Sequence, residues 1–193
     1  MRCNVKTIAI MAKSCTGKTT VIDKLCSERP DVFHYVKSFT TRPVRQNDPK
    51  DKESHIFVSE AFYERKKNYA FAVYNSPKGY HSWTDESSFM EDKINIYAID
   101  SKEFKNLTEK CLISELHGIF LYIDENEREK RFLSRGEKDF DIEEHLDKKH
   151  LKGLSNVKIL DVTNLSREET FSEVLDIIER EFGCKLNLEK KVN

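Results

Sequence analysis

Apolar residues follow two rhythms along this chain. Short runs rich in β-branched and aromatic side chains read as strands over 7–11, 34–38, 55–58, 69–74, 94–99, 119–123 and 157–162. Between many of them apolar residues return every three or four positions, which predicts helices over 18–27, 60–67, 85–92, 102–110, 125–134, 142–152 and 167–182. Runs such as Ile8-Ala9-Ile10-Met11 are continuously apolar, so both faces of those strands should be covered. Strands followed by helices in this way predict an α/β fold, with a mostly parallel sheet flanked by helices. The segment 42–83 breaks the rhythm. It is polar, holds Pro43, Pro49 and Pro77, and its short strands leave little room for crossover helices. A small, mostly antiparallel lobe inserted in the α/β core is the expected result, placed where it can close over a ligand at the carboxyl ends of the strands.

The first strand–helix junction carries the strongest chemical signal, Ala12-Lys13-Ser14-Cys15-Thr16-Gly17-Lys18-Thr19. A buried strand, a tight loop and a helix N-terminus converge backbone N–H groups on one point, and the helix dipole adds positive potential there. The segment therefore reads as a phosphate-binding loop, with Ala12, Ser14, Cys15, Thr16, Gly17, Lys18, Thr19 and Thr20 as the candidate nucleotide contacts. Lys18 supplies a point charge for the β- and γ-phosphates, and the Thr19 hydroxyl is placed to coordinate Mg²⁺. Ala12 stands where glycine is usual, which fits if its backbone keeps an ordinary conformation. The competing reading is a Gly-Lys-Thr that only opens a helix.

The chain has 193 residues, enough for one domain with a sizeable core. Its 33 basic and 34 acidic residues give no global attraction to nucleic acid or an anionic membrane, so an anion site has to be local. No apolar run approaches the ~20 residues that span a bilayer. Five scattered cysteines, Cys3, Cys15, Cys26, Cys111 and Cys184, form no metal-ligand spacing and read as free thiols of a cytoplasmic protein. Cys15, inside the loop, is either a tolerated small residue or a thiol activated by the loop's positive potential.

Local arginines then matter. Arg42 and Arg45 flank Pro43, and in an extended, polyproline-like stretch they project to one side, as a phosphate dianion requires. Arg128, Arg131 and Arg135 recur at helical spacing. Arg131 can pair with Glu127 four residues before it, or join Arg135 around an anion. Asp100 ends a core strand, either as a functional carboxylate or as the cap of the next helix.

In their order these segments resemble the guanylate kinase family of P-loop nucleoside monophosphate kinases, over nearly the whole chain. The acceptor segment Ser-x-Thr-Thr-Arg-x-x-Arg is matched by Ser38-Phe39-Thr40-Thr41-Arg42-Pro43-Val44-Arg45, and the lid entrance Arg-x-x-x-Arg-Gly by Arg131-Phe132-Leu133-Ser134-Arg135-Gly136. Asp100 and Asn164 fall in the expected places. The resemblance implies a single P-loop kinase domain over 1–193, with core segments about 1–37 and 93–183, an acceptor-binding lobe about 38–92 and a short lid about 135–145. It also implies transfer of the ATP γ-phosphoryl group to GMP or dGMP with Mg²⁺. Lys18, Arg42, Arg131 and Arg135 would be catalytic, Asn164 would join the ATP site, and Ser38, Arg42, Arg45, His55, His81 and Asp100 would hold the acceptor. Small nucleotides would be the partners, and the protein a monomer or homodimer. It would be a divergent member: Ala98 and His145 replace a family Asp and Arg, and His55, Ala72 and Tyr80-His81-Ser82-Trp83 replace a Tyr, a Glu and a Tyr-Tyr-Gly-Ser/Thr run. Two other readings stay open. One is a kinase of a different phosphorylated acceptor, another nucleotide or a ribose bisphosphate. The other is a guanylate-kinase-like binding module without catalysis.

Overall fold

The computed structural model describes residues 3–45, 51–134 and 148–183. Arg135, His145, the 135–145 lid and the 184–193 tail lie outside the described residues. The first half of the chain forms β1 (Cys3–Ala12), α1 (Lys18–Glu28), β2 (Phe33–Val36), β3 (Ser38–Thr40), α2 (Asp51–Ser54), β4 (His55–Phe57), α3 (Glu60–Lys66), β5 (Phe71–Asn75) and β6 (His81–Thr84). The second half forms β7 (Ile94–Ala98), α4 (Ser101–Glu109), β8 (Ile113–Tyr122), α5 (Glu125–Leu133), β9 (Val157–Asp161) and α6 (Arg167–Phe182).

The main sheet has the order β2-β7-β1-β8-β9, and every neighbouring pair is parallel. Period-two alternation splits β1 between two cores. Ile8, Ile10 and Ala12 pack with Val21, Ile22 and Leu25 of α1 and with Val174 and Ile178 of α6. Ala9 and Met11 pack on the other side with Phe104 and Leu107 of α4 and with Leu151. Each such Leu or Ile withdrawn from water stabilises the fold by about 1.5–3 kcal/mol. From β1 the chain crosses to β2 on one side, and from β7 it crosses to β8 on the other. The connections diverge beside β1, which is where a crevice forms beyond the carboxyl ends of the strands.

Between β2 and β7 lies the inserted lobe, a second sheet of order β4-β3-β6-β5. Two of its three pairings are antiparallel and β3–β4 is parallel, so the expectation of a mostly antiparallel lobe is met. Its centre is aromatic: Trp83 is fully buried and stacks against Phe39 at 5.5 Å, with Tyr63 at 4.9 Å.

Several predicted elements differ in detail. The helix expected over 85–92 is only a 3₁₀ turn, Glu86–Ser88. The buried Asn95 side chain explains its arrest, because it accepts the Met90 N–H and donates to the Met90 carbonyl, each at 2.8 Å, taking groups a helix would use. The run 34–38 divides at Lys37, where the chain passes from the main sheet into the lobe sheet. β6 and α2 were not among the predicted elements. β8 starts at Ile113 instead of 119, and its first half alternates with the polar Ser114, Glu115 and His117, which mutes the apolar signal. Of the helix expected over 142–152, the described part, Lys148–Leu151, is a 3₁₀ turn.

Candidate active site

The sheet register sets the site. Ile10 lies opposite Ala98, and Ala12 opposite Leu121, so the loop after β1, Asp100 after β7 and the start of α5 after β8 emerge side by side. Ala12 closes β1 in strand conformation, so the missing glycine does no harm at that point. The left-handed positions fall instead at Cys15 (φ 65°) and Gly17 (φ 104°). Such turns gather backbone N–H groups into an anion-binding concavity. Gly17 caps α1 without a side-chain hydrogen bond, and the first turn of α1 holds no acid. By contrast α3, α4, α5 and α6 all carry an acid there and a side-chain cap. The positive end of the α1 dipole thus faces no carboxylate of its own turn, and Lys18, Thr19 and Thr20 stand in that turn. Thr16 is buried, and its hydroxyl has no hydrogen-bond partner among the described residues.

A triphosphate fits this loop in charge and in donor set. Thr19 offers one hydroxyl to Mg²⁺, and among the described residues no cluster of His, Cys, Asp and Glu could hold a metal unaided. The loop is also braced from a side the sequence did not reveal. Lys13 donates to Glu125 at 2.5 Å, and the other oxygen of Glu125 accepts from the buried Arg128 at 2.7 Å. Burial works against the Glu125 charge, yet the hydrogen bonds from Lys13 and Arg128 hold its carboxyl below the usual range. The bracing joins the loop to α5, which carries Arg131. Arg131 pairs with Glu127 at 3.2 Å and reaches the carbonyls of Val162 and Thr163 at 3.4 Å, next to the exposed Asn164.

A cleft of about 640 Å³ opens between the lobe and the end of β7. Ser38, Arg42, Arg45, His55 and Asp100 all line it, so the structure brings these five predicted residues together. Asp100 caps α4 by accepting the Glu103 N–H at 2.8 Å, as the cap reading expects, and it also lines the cleft. His81 is not among the lining residues. It is stacked on Tyr63 at 4.0 Å, with Asn75 at 2.6 Å on Nδ1 and Glu60 at 3.1 Å on Nε2, while its neighbours Tyr80 and Ser82 face the cleft.

Asp51 organises the arginine segment. Its carboxylate, 2% exposed, takes both terminal nitrogens of Arg42, one of them at 2.7 Å, and the Arg45 N–H at 2.8 Å. The Arg42 guanidinium also lies over the Phe57 ring at 5.2 Å. The hydrogen bonds from Arg42, and that from the Arg45 backbone, hold the Asp51 carboxyl far below the usual carboxylate range. Burial and the Arg42 charge push His55 down. His55 Nδ1 lies 2.8 Å from the Ser54 hydroxyl and 3.5 Å from the Arg42 guanidinium.

The sequence model described as guanylate kinase matches residues 4–181. The chain is 41% identical over 73 residues to the guanylate kinase of Lawsonia intracellularis, a match covering 38% of this chain and 34% of that protein. It therefore spans about a third of the length of that relative. The crystal structure of guanylate kinase from Anaplasma phagocytophilum superposes with a TM-score of 0.61 at 16% identity, covering 93% of this chain and 87% of the other, which establishes the shared fold. With the family match running over nearly its whole length, the chain belongs to the guanylate kinase family.

Proposed function

We propose that the protein is an ATP-dependent nucleoside monophosphate kinase that moves the γ-phosphoryl group of ATP to the phosphate of GMP or dGMP. The carrying observation is that a phosphate loop ending in Lys18 and Thr19 and an arginine-lined cleft open at the same edge of one parallel sheet. Transfer between two phosphates needs positioning and neutralised charge, and no protein nucleophile. Lys18 holds the donor phosphates, and Mg²⁺ beside Thr19 supplies further neutralisation when bound. Arg45 and Arg42, the latter fixed by Asp51, grip the acceptor phosphate with Ser38, and His55 lines the same cleft beside them. Arg131 and Arg135 are assigned to the phosphoryl group in transit, and Asn164 to the ATP side.

The test is ADP release from Mg-ATP with GMP, dGMP, other nucleoside monophosphates and ribose phosphates, each supplied alone. Turnover with GMP or dGMP is expected, and Lys18→Ala should abolish it while keeping the urea unfolding midpoint. Retained turnover in that variant would overturn the mechanism. A second reading, a sugar phosphate acceptor, is favoured by Ala72, whose methyl group offers a base no hydrogen bond. ADP release with ribose phosphates but not with GMP would establish it, and ATP binding without ADP release would point to a non-catalytic module.

A further inference from the structure

Glu103 belongs to this cleft, yet neither the phosphate loop nor the arginine segment accounts for it. It stands in the first turn of α4, half-buried, and lines the same space as Arg42, Arg45 and His55. Ala72 and Glu103 together line both this cleft and a smaller adjoining cavity of about 160 Å³. They flank one gap, where α4 packs on β5. At Ala72 the strand breaks register and turns left-handed (φ 45°), so β5 presents a methyl group on a bulge beside the Glu103 carboxylate.

The surroundings of that carboxylate define what it can receive. Among the described residues Glu103 has no ion pair, and its side chain accepts one hydrogen bond, from the Asn106 amide at 3.3 Å. An ionised carboxyl has about four acceptor sites, so this one bond leaves most of the accepting capacity of a cleft-lining residue unused. Burial pushes the carboxyl up and nearby Asp100 adds to the rise, against the Asn106 hydrogen bond and the charges of Lys102 and Lys110. A carboxylate stripped of water in this way regains stability from N–H donors and disfavours a second anion. The cleft is thus bipolar, with guanidinium groups for a phosphate and a carboxylate for a donor-bearing group. A ribose bisphosphate, anionic at both ends, fits poorly. Two adjacent N–H groups suit the two oxygens of one carboxylate, and guanine presents them at N1 and N2. Adenine and cytosine set a donor beside an acceptor, and uracil sets its one N–H between carbonyls.

We infer that Glu103 is the acceptor-specificity residue, its carboxylate taking the paired N–H groups of a guanine-type base whose phosphate the arginines hold. The inference rests on the kinase reading above for the orientation of the acceptor. Its test is equilibrium binding of GMP, IMP and ribose 5-phosphate to the full chain and to Glu103→Gln, with ADP release measured in parallel. The wild type should bind GMP at least ~10-fold tighter than IMP, which lacks the N2 amino group. Glu103→Gln should lose roughly 10–100-fold on GMP, less on IMP, and nothing on ribose 5-phosphate. Equal losses on all three ligands would show a purely structural role and overturn the inference, as would unchanged GMP affinity. GMP phosphorylation insensitive to Glu103→Gln would overturn it while leaving the kinase reading intact. Glu103-dependent GMP binding without ADP release would support it and overturn the kinase reading instead. Failure of the wild type to bind GMP would overturn both.

Discussion

Cys15 holds a backbone conformation that side chains with a Cβ rarely adopt, and it does so inside the phosphate loop. At φ 65° a non-glycine residue costs roughly 1–2 kcal/mol, part of which glycine recovers at the expense of a more flexible unfolded chain. Cys15→Gly should therefore raise stability by about 0.5–1 kcal/mol, read as a higher urea midpoint at unchanged slope. A lower midpoint would show that contacts of the buried thiol outweigh the backbone cost. Residues of this kind divide by how sequence reveals them. The positions of Lys18, Thr19, Ser38 and Arg42 were legible because they lie in short contiguous motifs whose flanking strands and helices form as expected. Asp51 and Glu125 were not, because each acts through a partner that only the tertiary fold supplies: Arg42 nine positions away, Lys13 more than a hundred. Glu103 was concealed differently. Asp100-Ser101-Lys102-Glu103 fits the spacing of a helix start, and that local sense hides the cleft the carboxylate lines.

At the scale of elements, α4 bounds one end of the cleft, since Asp100 caps it and Glu103 stands in its first turn and both line that space. Its seat on the sheet depends on Gly118 in β8. A Cβ there would meet the Phe104 ring at 2.8 Å and the Met11 methyl at 2.9 Å, closer than packed atoms allow. The methionine end can swing aside, but the fully buried ring is confined by the core. Gly118→Ala should thus cost about 1–3 kcal/mol, visible as a reduced urea midpoint. An unchanged midpoint would mean that α4 can slide without loss and is a poor fixture for the cleft. Elements whose apolar positions keep a clear pattern, such as β1, α4 and α6, were legible because that local pattern sets them. The exceptions have tertiary causes: Asn95 captures the backbone groups of Met90 and stops a helix, and β6 alternates polar residues around Trp83, an order that only the sheet beside it gives meaning.

Across the whole molecule, the inserted lobe carries its own reporter, because Trp83 is the only tryptophan and sits at the lobe's aromatic centre. Arg42 and the Arg45 backbone are tied to the start of α2 by the buried Asp51 carboxylate, so the stability of the lobe should follow the charge on Asp51. The folded state holds this carboxyl well below its ordinary value, whereas the unfolded chain takes up a proton near pH ~3.9. Above that pH the pair contributes fully. As pH falls further the unfolded chain binds protons first, and the contribution drains away until the folded-state value is reached. Asp51→Asn removes the titrating group and strands the Arg42 charge, costing on the order of 3 kcal/mol at pH 7. Its deficit relative to the wild type should shrink by on the order of 1 kcal/mol at pH 3, because each pH unit below the unfolded value withdraws at most about 1.4 kcal/mol from the wild type alone. Urea unfolding followed by Trp83 emission at pH 7 and pH 3 measures both differences. The same deficit at both pH values would show that Asp51 supports the lobe by shape and not by charge. A deficit that narrows on acidification would identify the Asp51–Arg42 pair as the electrostatic clasp that holds Arg42 and the Arg45 backbone in the lobe.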